Sequence, residues 1–317
     1  MRSDRNENGA PPPAVRLLYI IGVSRSGSTI LDAVLGSQSG ISATGELYLL
    51  LKDDHGARRI CACGEPTESC SFWGPVLAEW ERGLSPERPS SYERLQAKFE
   101  RFRDVPRLVM ELVRRSRSFD RYAKWTFDLL RILGENAGGG YIADSSKHPP
   151  RALALLMIAG IEVSLIHILR DPRAVVWSKL KFYRPMGKPD PLHAPLRMTL
   201  RTTFEWLLLN LSTEVILRLR PPVRSIRIRY EDFADRPEYE LRRLGATIGI
   251  DLSALAARAG SGEAFGFGHI MAGNTARQRG SRPLVKDTDW QHSSPGWMRR
   301  LVWLLTGFLA RRYGYRR

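Results

Sequence analysis

The feature that most constrains this chain lies near its start, where an apolar strand, a glycine-bearing loop and a helix follow one another with no spare residues. RLLYIIG at 16–22 is nearly continuous apolar sequence ending in glycine, the pattern of a strand buried on both faces. The loop VSRSG follows, and STILDAVLGSQ then spaces Ile30, Leu31, Val34 and Leu35 at helical intervals. Strand, glycine loop and helix in that order predict one half-unit of a nucleotide-binding α/β fold.

The rest of the chain extends the pattern. Residues 74–137 carry helical periodicity with abundant arginine, as in YERLQAKFERF and KWTFDLLRILGENA, and predict a helical insert. The alternation of strand and helix resumes at YIAD (141–144), ALALLMIAG (152–160), VSLIHILR (163–170) and PRAVVWSKLKF (172–182), where Pro172 suits a helix start. A further strand, SIRIRY (225–230), precedes a helix near 237–249. The expected architecture is α/β, a phosphate-loop-type three-layer fold with a central, mostly parallel sheet and a helical insert. Residues 1–15 are polar and proline-rich and read as a disordered tail, leaving 16–317 as one domain. Residues 260–295 are rich in Gly, Ser, Arg and Asp, as in a loop that closes over a ligand or a plain surface loop.

Composition limits the function classes. With 43% hydrophobic and 26% charged residues, the balance is that of a globular chain and excludes disordered and fibrous architectures. The apolar stretches Leu17 to Val23, Ala152 to Ile161 and Leu301 to Ala310 all fall short of the roughly 18 residues of a membrane-spanning helix. The start, MRSDRNENGAPPPAV, lacks the apolar region of a signal peptide, so a cytoplasmic location is expected. The net charge is +16, carried mostly by arginine, and favours a polyanionic ligand, nucleic acid or an acidic membrane surface without choosing among them. WMRRLVWLLTGFLARRYGYRR at the end could touch anionic lipid, but packing on the domain with its arginines solvated is the reading adopted.

Cys61, Cys63 and Cys70 are the only cysteines, and all lie within ICACGEPTESC. Their odd number argues against a disulfide framework. His55 could complete a four-ligand zinc set, yet its spacing is wide and no paired C-x-x-C accompanies it. The expectation is therefore a local loop, with or without a Cys63–Cys70 bond, and no metal ligand is assigned.

Two loops carry the chemistry. GVSRSGST at 22–29 fits the phosphate-loop template G-x-x-x-x-G-K-[ST] except that Ser28 stands at the lysine position. Without the lysine that reaches a triphosphate, what remains is a cradle of amides from Ser26, Gly27, Ser28 and Thr29 plus one forward cation, Arg25, suited to a single 5′-phosphate group. In HILRDPRAVVWS at 167–178, Arg170 falls at a strand's carboxyl edge and Ser178 about two turns into the next helix, and together they could grip a second phosphate. A glycine turn and a salt-bridged helix cap are the plainer readings of the two segments.

Together these segments resemble the sulfotransferases that use 3′-phosphoadenosine 5′-phosphosulfate, a likeness that extends over most of the chain. It is nearest to bacterial sulfotransferases with DSSK and RDPR segments, and to protein-tyrosine sulfotransferases in the order of motifs. The resemblance implies that Arg25 to Thr29 bind the 5′-phosphosulfate and that Arg170 and Ser178 bind the 3′-phosphate. IRYEDF at 228–233 is similar to the segment whose tyrosine approaches the nucleotide, here Tyr230. GNTARQRGS at 273–281 and the later VKDTDW are similar to the loop that folds over the cofactor, which implies Asn274 and Arg277. TGEL at 44–47 places Glu46 as that family's tyrosine-specific members place a catalytic glutamate, implying a general base; alone it reads as a glutamate at a helix start. ADSSKHP at 143–149 brings Lys147 to the sheet's carboxyl edge, where it and Arg25 could stabilise charge on the leaving phosphate. His148, His167 and His292 are rival bases, His148 foremost because it adjoins Lys147.

The reading is an enzyme that transfers a sulfuryl group from 3′-phosphoadenosine 5′-phosphosulfate to a hydroxyl or amine of a small molecule, carbohydrate or lipid, with no metal required and no nucleic acid partner. The helical insert and residues 184–200 are expected to shape the acceptor pocket. The rivals are a phosphate-loop kinase or nucleotide hydrolase, disfavoured by Ser28, and a nucleic-acid-binding protein, for which no recognition module is present.

Overall fold

In the computed structural model the described residues are 15–51, 60–84, 89–183, 194–219, 223–273, 275–278 and 280–317. Strand β1 (Val15–Gly22) begins at Val15, and positions 1–14 of the expected tail lie outside the described residues. β1 pairs in parallel with β3 (Tyr141–Lys147) on one side and β4 (Ile161–Leu169) on the other. β2 (Ile41–Gly45) and β5 (Ser225–Arg229) complete an all-parallel sheet in the order β2-β3-β1-β4-β5. The chain thus passes from β3 on one side of β1 to β4 on its other side, and this switch opens a crevice at the strands' carboxyl ends.

The central strand is apolar because both its faces are covered. Leu17, Tyr19 and Ile21 enter one core with residues of the helical insert, among them Trp73, Trp80, Phe99 and Phe119. Leu18 and Ile20 enter a second core with Leu31 and Val34 of α1 (Ser28–Leu35) and with Leu241 and Leu244. The insert consists of α2 (Trp73–Leu84), α3 (Pro89–Glu100), α4 (Val105–Val113) and α5 (Arg117–Asn136), as its periodicity predicts, with no strand among the described residues. A buried ion triad ties it to the sheet: Arg151 donates to Glu100 of α3 at 2.5 Å and to Asp144 of β3 at 3.0 Å. Tyr122 of α5 donates to the same Glu100 at 2.7 Å.

The run at 152–160 enters α6 (Pro149–Leu155), the helix that the alternation of strand and helix places there, and the two prolines at its start set helical φ. Two elements depart from the sequence reading. β2 was hidden by its length of five residues and by small side chains in ISATG. The 26-residue helix after α7 (Pro172–Tyr183), α8 (Ala194–Leu219), has buried Trp206, Leu209 and Ile216 but also exposes Phe204, Leu208, Leu211, Val215 and Leu219, so no single apolar face was there to read. Beyond β5 come α9 (Tyr230–Asp235), α10 (Pro237–Ile248) and α11 (Ser253–Gly260). The two-residue strands β6 (Ala264–Phe265) and β7 (Arg282–Pro283) pair antiparallel, and α12 (Asp289–Ser293) follows. The terminal helix α13 (Gly296–Arg312) packs against α7 and α8. Among the described residues no helix is long and apolar enough to cross a membrane.

His167, one rival base, is in β4 and only 1% exposed, with Nε2 2.8 Å from Asn210 Oδ1 on α8. Burial pulls its pKa from 6.5 to about 4, the Asn210 contact opposing. Between these values the unfolded chain binds a proton that the folded chain refuses, so this contribution to stability is full above about pH 6.5 and lost as pH falls toward about 4. Urea unfolding at about pH 7.5 and about pH 5 should show the wild type losing about 2 kcal/mol more than His167→Gln over that interval. Parallel losses in the two proteins would mean that His167 titrates normally.

Candidate functional site

All five strands deliver residues to the crevice, and the loop after β1 lies at its centre. Gly27 caps α1 with φ 91°, and a Cβ there would come within 2.5 Å of the Tyr230 ring, so both the turn and the close approach require glycine. The Leu31 N–H reaches Gly27 O at 3.0 Å, leaving the amides before it without helical acceptors. Together with the helix dipole the amides of Ser28, Thr29 and Ile30 could hold an anion, beside the buried side chains of Ser26 and Ser28.

The second basic turn stands directly against the first. Arg25 donates from Nε to Ser178 Oγ at 3.0 Å and lies 5.2 Å from the Phe182 ring centroid. Arg170 donates to Arg25 O at 2.8 Å and to Asp287 Oδ2 at 2.8 Å, and its guanidinium covers the Tyr230 ring at 4.6 Å. Tyr230 in turn donates to Val285 O at 2.8 Å and accepts from the Asp287 N–H at 3.2 Å. The late VKDTDW segment is thereby fastened over the two loops. Arg25, expected at the first phosphate, thus reaches the serine of the second motif.

Glu46 and Lys147 meet at 2.5 Å between Oε1 and Nζ. Glu46 follows, and Lys147 ends, a strand that carries one extra residue. Along the β1–β3 pairing Tyr19 faces Asp144 but Ile21 faces Lys147, so β3 bulges at Ser145 and Ser146. Along β2–β3, Ala43 faces Ala143 but Gly45 faces Asp144, so β2 bulges at Thr44. Such bulges re-aim the following side chains, here two that converge from neighbouring strands. Lys147 holds φ 71° and also donates to Ser145 O at 3.0 Å. Gly45 has φ 82°, and a Cβ there would lie 2.6 Å from Ala272 O.

Behind the pair is Asp32 of α1, which accepts from the Gly45 N–H at 3.0 Å and from Ser145 Oγ at 2.8 Å, bracing both bulges at once. Its burial pushes the carboxyl up from 3.8 to about 7, against the lowering effect of the Ser145 bond. Asp32 was missed by sequence reasoning, since an aspartate inside a helix reads as a solvated residue.

The pair forms the wall between two cavities. One, of about 780 Å³, is lined by Arg25, Gly27, Ser28, Thr29, Arg170, Ser178, Tyr230 and Arg277, besides Glu46 and Lys147. The other, of about 720 Å³, has apolar walls from Phe102, Phe204, Leu208 and Leu209, with His148 and Arg201 at its sides and Ser24, Glu46 and Lys147 in common with the first. Of residues 184–200, expected with the insert to shape an acceptor pocket, 184–193 lie outside the described residues; the second cavity draws on Phe102 of the insert and on α8 beyond position 200.

Arg277 is 4% exposed and donates to Gly273 O at 3.1 Å; burial lowers its pKa, with Glu46 and Cys61 opposing. Asn274 lies outside the described residues, as does His55. His148 stacks on Tyr48 with ring centroids 4.2 Å apart beside Lys147, whereas His292 is exposed on α12 and away from both cavities. Cys61, Cys63 and Cys70 are joined by His269, a residue the sequence reading did not consider because it is 199 positions after Cys70.

The chain matches the Sulfotransferase family over residues 18–254. No curated protein matches it. Among solved structures, sulfotransferase STF9 from Mycobacterium avium aligns over 95% of this chain and 77% of its own, at 14% identity and a TM-score of 0.51. The sulfotransferase domain of the Synechococcus PCC 7002 olefin synthase aligns over 100% of both chains at 17% identity and a TM-score of 0.48. Sulfotransferase STF1 from Mycobacterium tuberculosis H37Rv aligns over 84% of this chain and 73% of its own at 13% identity and a TM-score of 0.49. With the family's match spanning most of the chain, and the parallel sheet and its phosphate-loop-like turn already described, this protein belongs to the sulfotransferase family and is a transferase enzyme.

Proposed function

We propose that the enzyme transfers a sulfuryl group from 3′-phosphoadenosine 5′-phosphosulfate to a hydroxyl on an acceptor with an apolar body. The observation that carries this reading is the Glu46–Lys147 pair at the wall shared by a cavity lined by the two arginine-bearing loops and one with Phe102, Phe204, Leu208 and Leu209 in its walls. Ser26 to Thr29 and the start of α1 would hold the 5′-phosphosulfate, and Arg170 with Ser178 the 3′-phosphate. Tyr230, already against Gly27 and Arg170, would border the nucleotide, and Arg277 with Asn274 would close the loop above it.

In this scheme Glu46 takes the proton of the acceptor hydroxyl as its oxygen forms a bond to sulfur. The bond from sulfur to the bridging oxygen of the 5′-phosphate breaks on the opposite side, and the electron pair leaves with adenosine 3′,5′-bisphosphate. Lys147 and Arg25 supply positive charge where that oxygen becomes negative, so they act more strongly on the transition state than on the bound donor. The cations being side chains, the scheme needs no metal. Phe102, Phe204, Leu208 and Leu209 suit an acceptor with an apolar face, and Arg201, Glu205 and His148 in the same lining suit polar groups at its edge.

Calorimetry tests the donor assignment. Adenosine 3′,5′-bisphosphate should bind far more tightly than 5′-AMP or ATP, and Arg170→Ala should weaken it by about 1.5–3 kcal/mol, roughly ten- to hundred-fold. Equal affinity for the bisphosphate and 5′-AMP would remove the 3′-phosphate role of Arg170 and Ser178, and tight magnesium-dependent ATP binding would favour a kinase.

A further inference from the structure

We infer that Cys61, Cys63, Cys70 and His269 bind a structural zinc ion that pins the loop ahead of the helical insert to the segment leading over the candidate site. The three Sγ atoms and His269 Nδ1 all lie within 4.8 Å of one another. Nδ1 is 3.2 Å from Cys70 Sγ and 3.6 Å from Cys61 Sγ, and the Cys63 and Cys70 sulfurs are 3.7 Å apart. Zinc ligands at Zn–S of about 2.3 Å and Zn–N of about 2.0–2.1 Å mark a tetrahedron with edges of roughly 3.8 Å between sulfurs and roughly 3.5 Å between sulfur and nitrogen. These three separations lie within about 0.3 Å of those edges, and no pair of the four atoms is more than 4.8 Å apart. A soft set of three thiols and one imidazole selects zinc over magnesium, calcium or manganese.

The surroundings hold the ligands in place. Cys61 and Gly64 close a tight turn, with the Gly64 N–H on Cys61 O at 2.9 Å and the Cys61 N–H on Glu65 O at 2.8 Å. Cys70 is fixed by its N–H on Pro66 O at 2.9 Å and, through its own carbonyl, by the Gly74 N–H of α2 at 2.8 Å. His269 is oriented by Trp73 Nε1, which donates to its carbonyl at 2.7 Å, and by Phe72, whose ring stacks on the imidazole at 5.4 Å. The Ala62 N–H donates to Ile270 O at 3.0 Å, lacing the two segments beside the cluster. Cys61 and Cys70 are buried and Cys63 is exposed, which leaves a side by which an ion can enter.

Four protein ligands leave no open position, so the role is structural rather than catalytic. What the ion would stabilise is defined by the chain on either side of His269. The Met271 N–H bonds Thr44 O at 3.1 Å, Ala272 O lies over Gly45, and Gly273 borders Thr29 and Glu46. The site would therefore brace the backbone that backs Glu46. This inference does not depend on the donor or acceptor proposed above.

Elemental analysis of the full chain, purified in buffer without added metal, should find about one zinc per chain. Cobalt titrated into the chelator-stripped chain should give intense visible absorption of a tetrahedral ion and a thiolate-to-cobalt charge-transfer band, both lost on adding zinc. Cys63→Ser, at an exposed position, should fold with unchanged circular dichroism yet give up its zinc to a chelator concentration that leaves the wild type loaded. Little or no zinc in the wild type together with a cobalt spectrum lacking thiolate charge transfer would overturn the inference. So would a thiol titration of the freshly denatured chain that finds one free thiol instead of three, the signature of a Cys63–Cys70 bond.

Discussion

The site rests on a backbone constraint. Arg25 and Lys147, at φ 74° and 71°, are the non-glycine residues with positive φ among the described residues, and they are the two cations proposed at the reacting centre. Such a conformation costs on the order of 1–3 kcal/mol for each residue and persists only where neighbours over-determine it. For Lys147 the neighbours are the bulge of β3, the contact to Glu46 and the bond to Ser145 O; for Arg25 they are Ser178 and the Arg170 guanidinium on its carbonyl. Asp32 adds a single acceptor that braces both bulged strands from behind. Geometry at the crevice is thus held by strand register and buried polar bonds rather than by the loops alone.

The helical insert is coupled to the same place. Glu100 closes α3 two residues before Phe102, which lines the apolar cavity, and its partner Arg151 also grips Asp144 in the stretch that leads to Lys147. Asp144 further accepts from the Ser146 N–H at 2.9 Å, and Ser146 Oγ takes the Tyr48 N–H at 2.9 Å. A buried triad of this kind contributes little net stability, but leaving one charge without its partner is costly, typically by about 3–5 kcal/mol. Its value here is positional: it sets the apolar wall and the lysine relative to each other.

Much of the centre was legible before the structure. An apolar strand that must be covered on both faces, a glycine loop and a helix leave few arrangements, and the register of β1 with β4 then forces the Arg25 and Arg170 loops together. Glu46 was legible only through family likeness, because β2 is too short and too small in its side chains to announce a strand whose bulge aims the glutamate. Two kinds of residue escaped. Asp32 acts through buried hydrogen bonds that periodicity does not encode, and His269 reaches the cysteines from 199 residues beyond Cys70, a distance no local spacing rule spans.

In the proposed mechanism Glu46 removes the acceptor proton while Lys147 beside it meets the leaving phosphate. That division of roles is tested most directly by Glu46→Gln, with transfer of labelled sulfur from the donor into a metabolite extract and binding of adenosine 3′,5′-bisphosphate measured on the same preparation. Turnover should fall by about 10²–10⁴ with bisphosphate affinity close to wild type. Near-normal turnover in a folded variant would contradict it and move the base to His148.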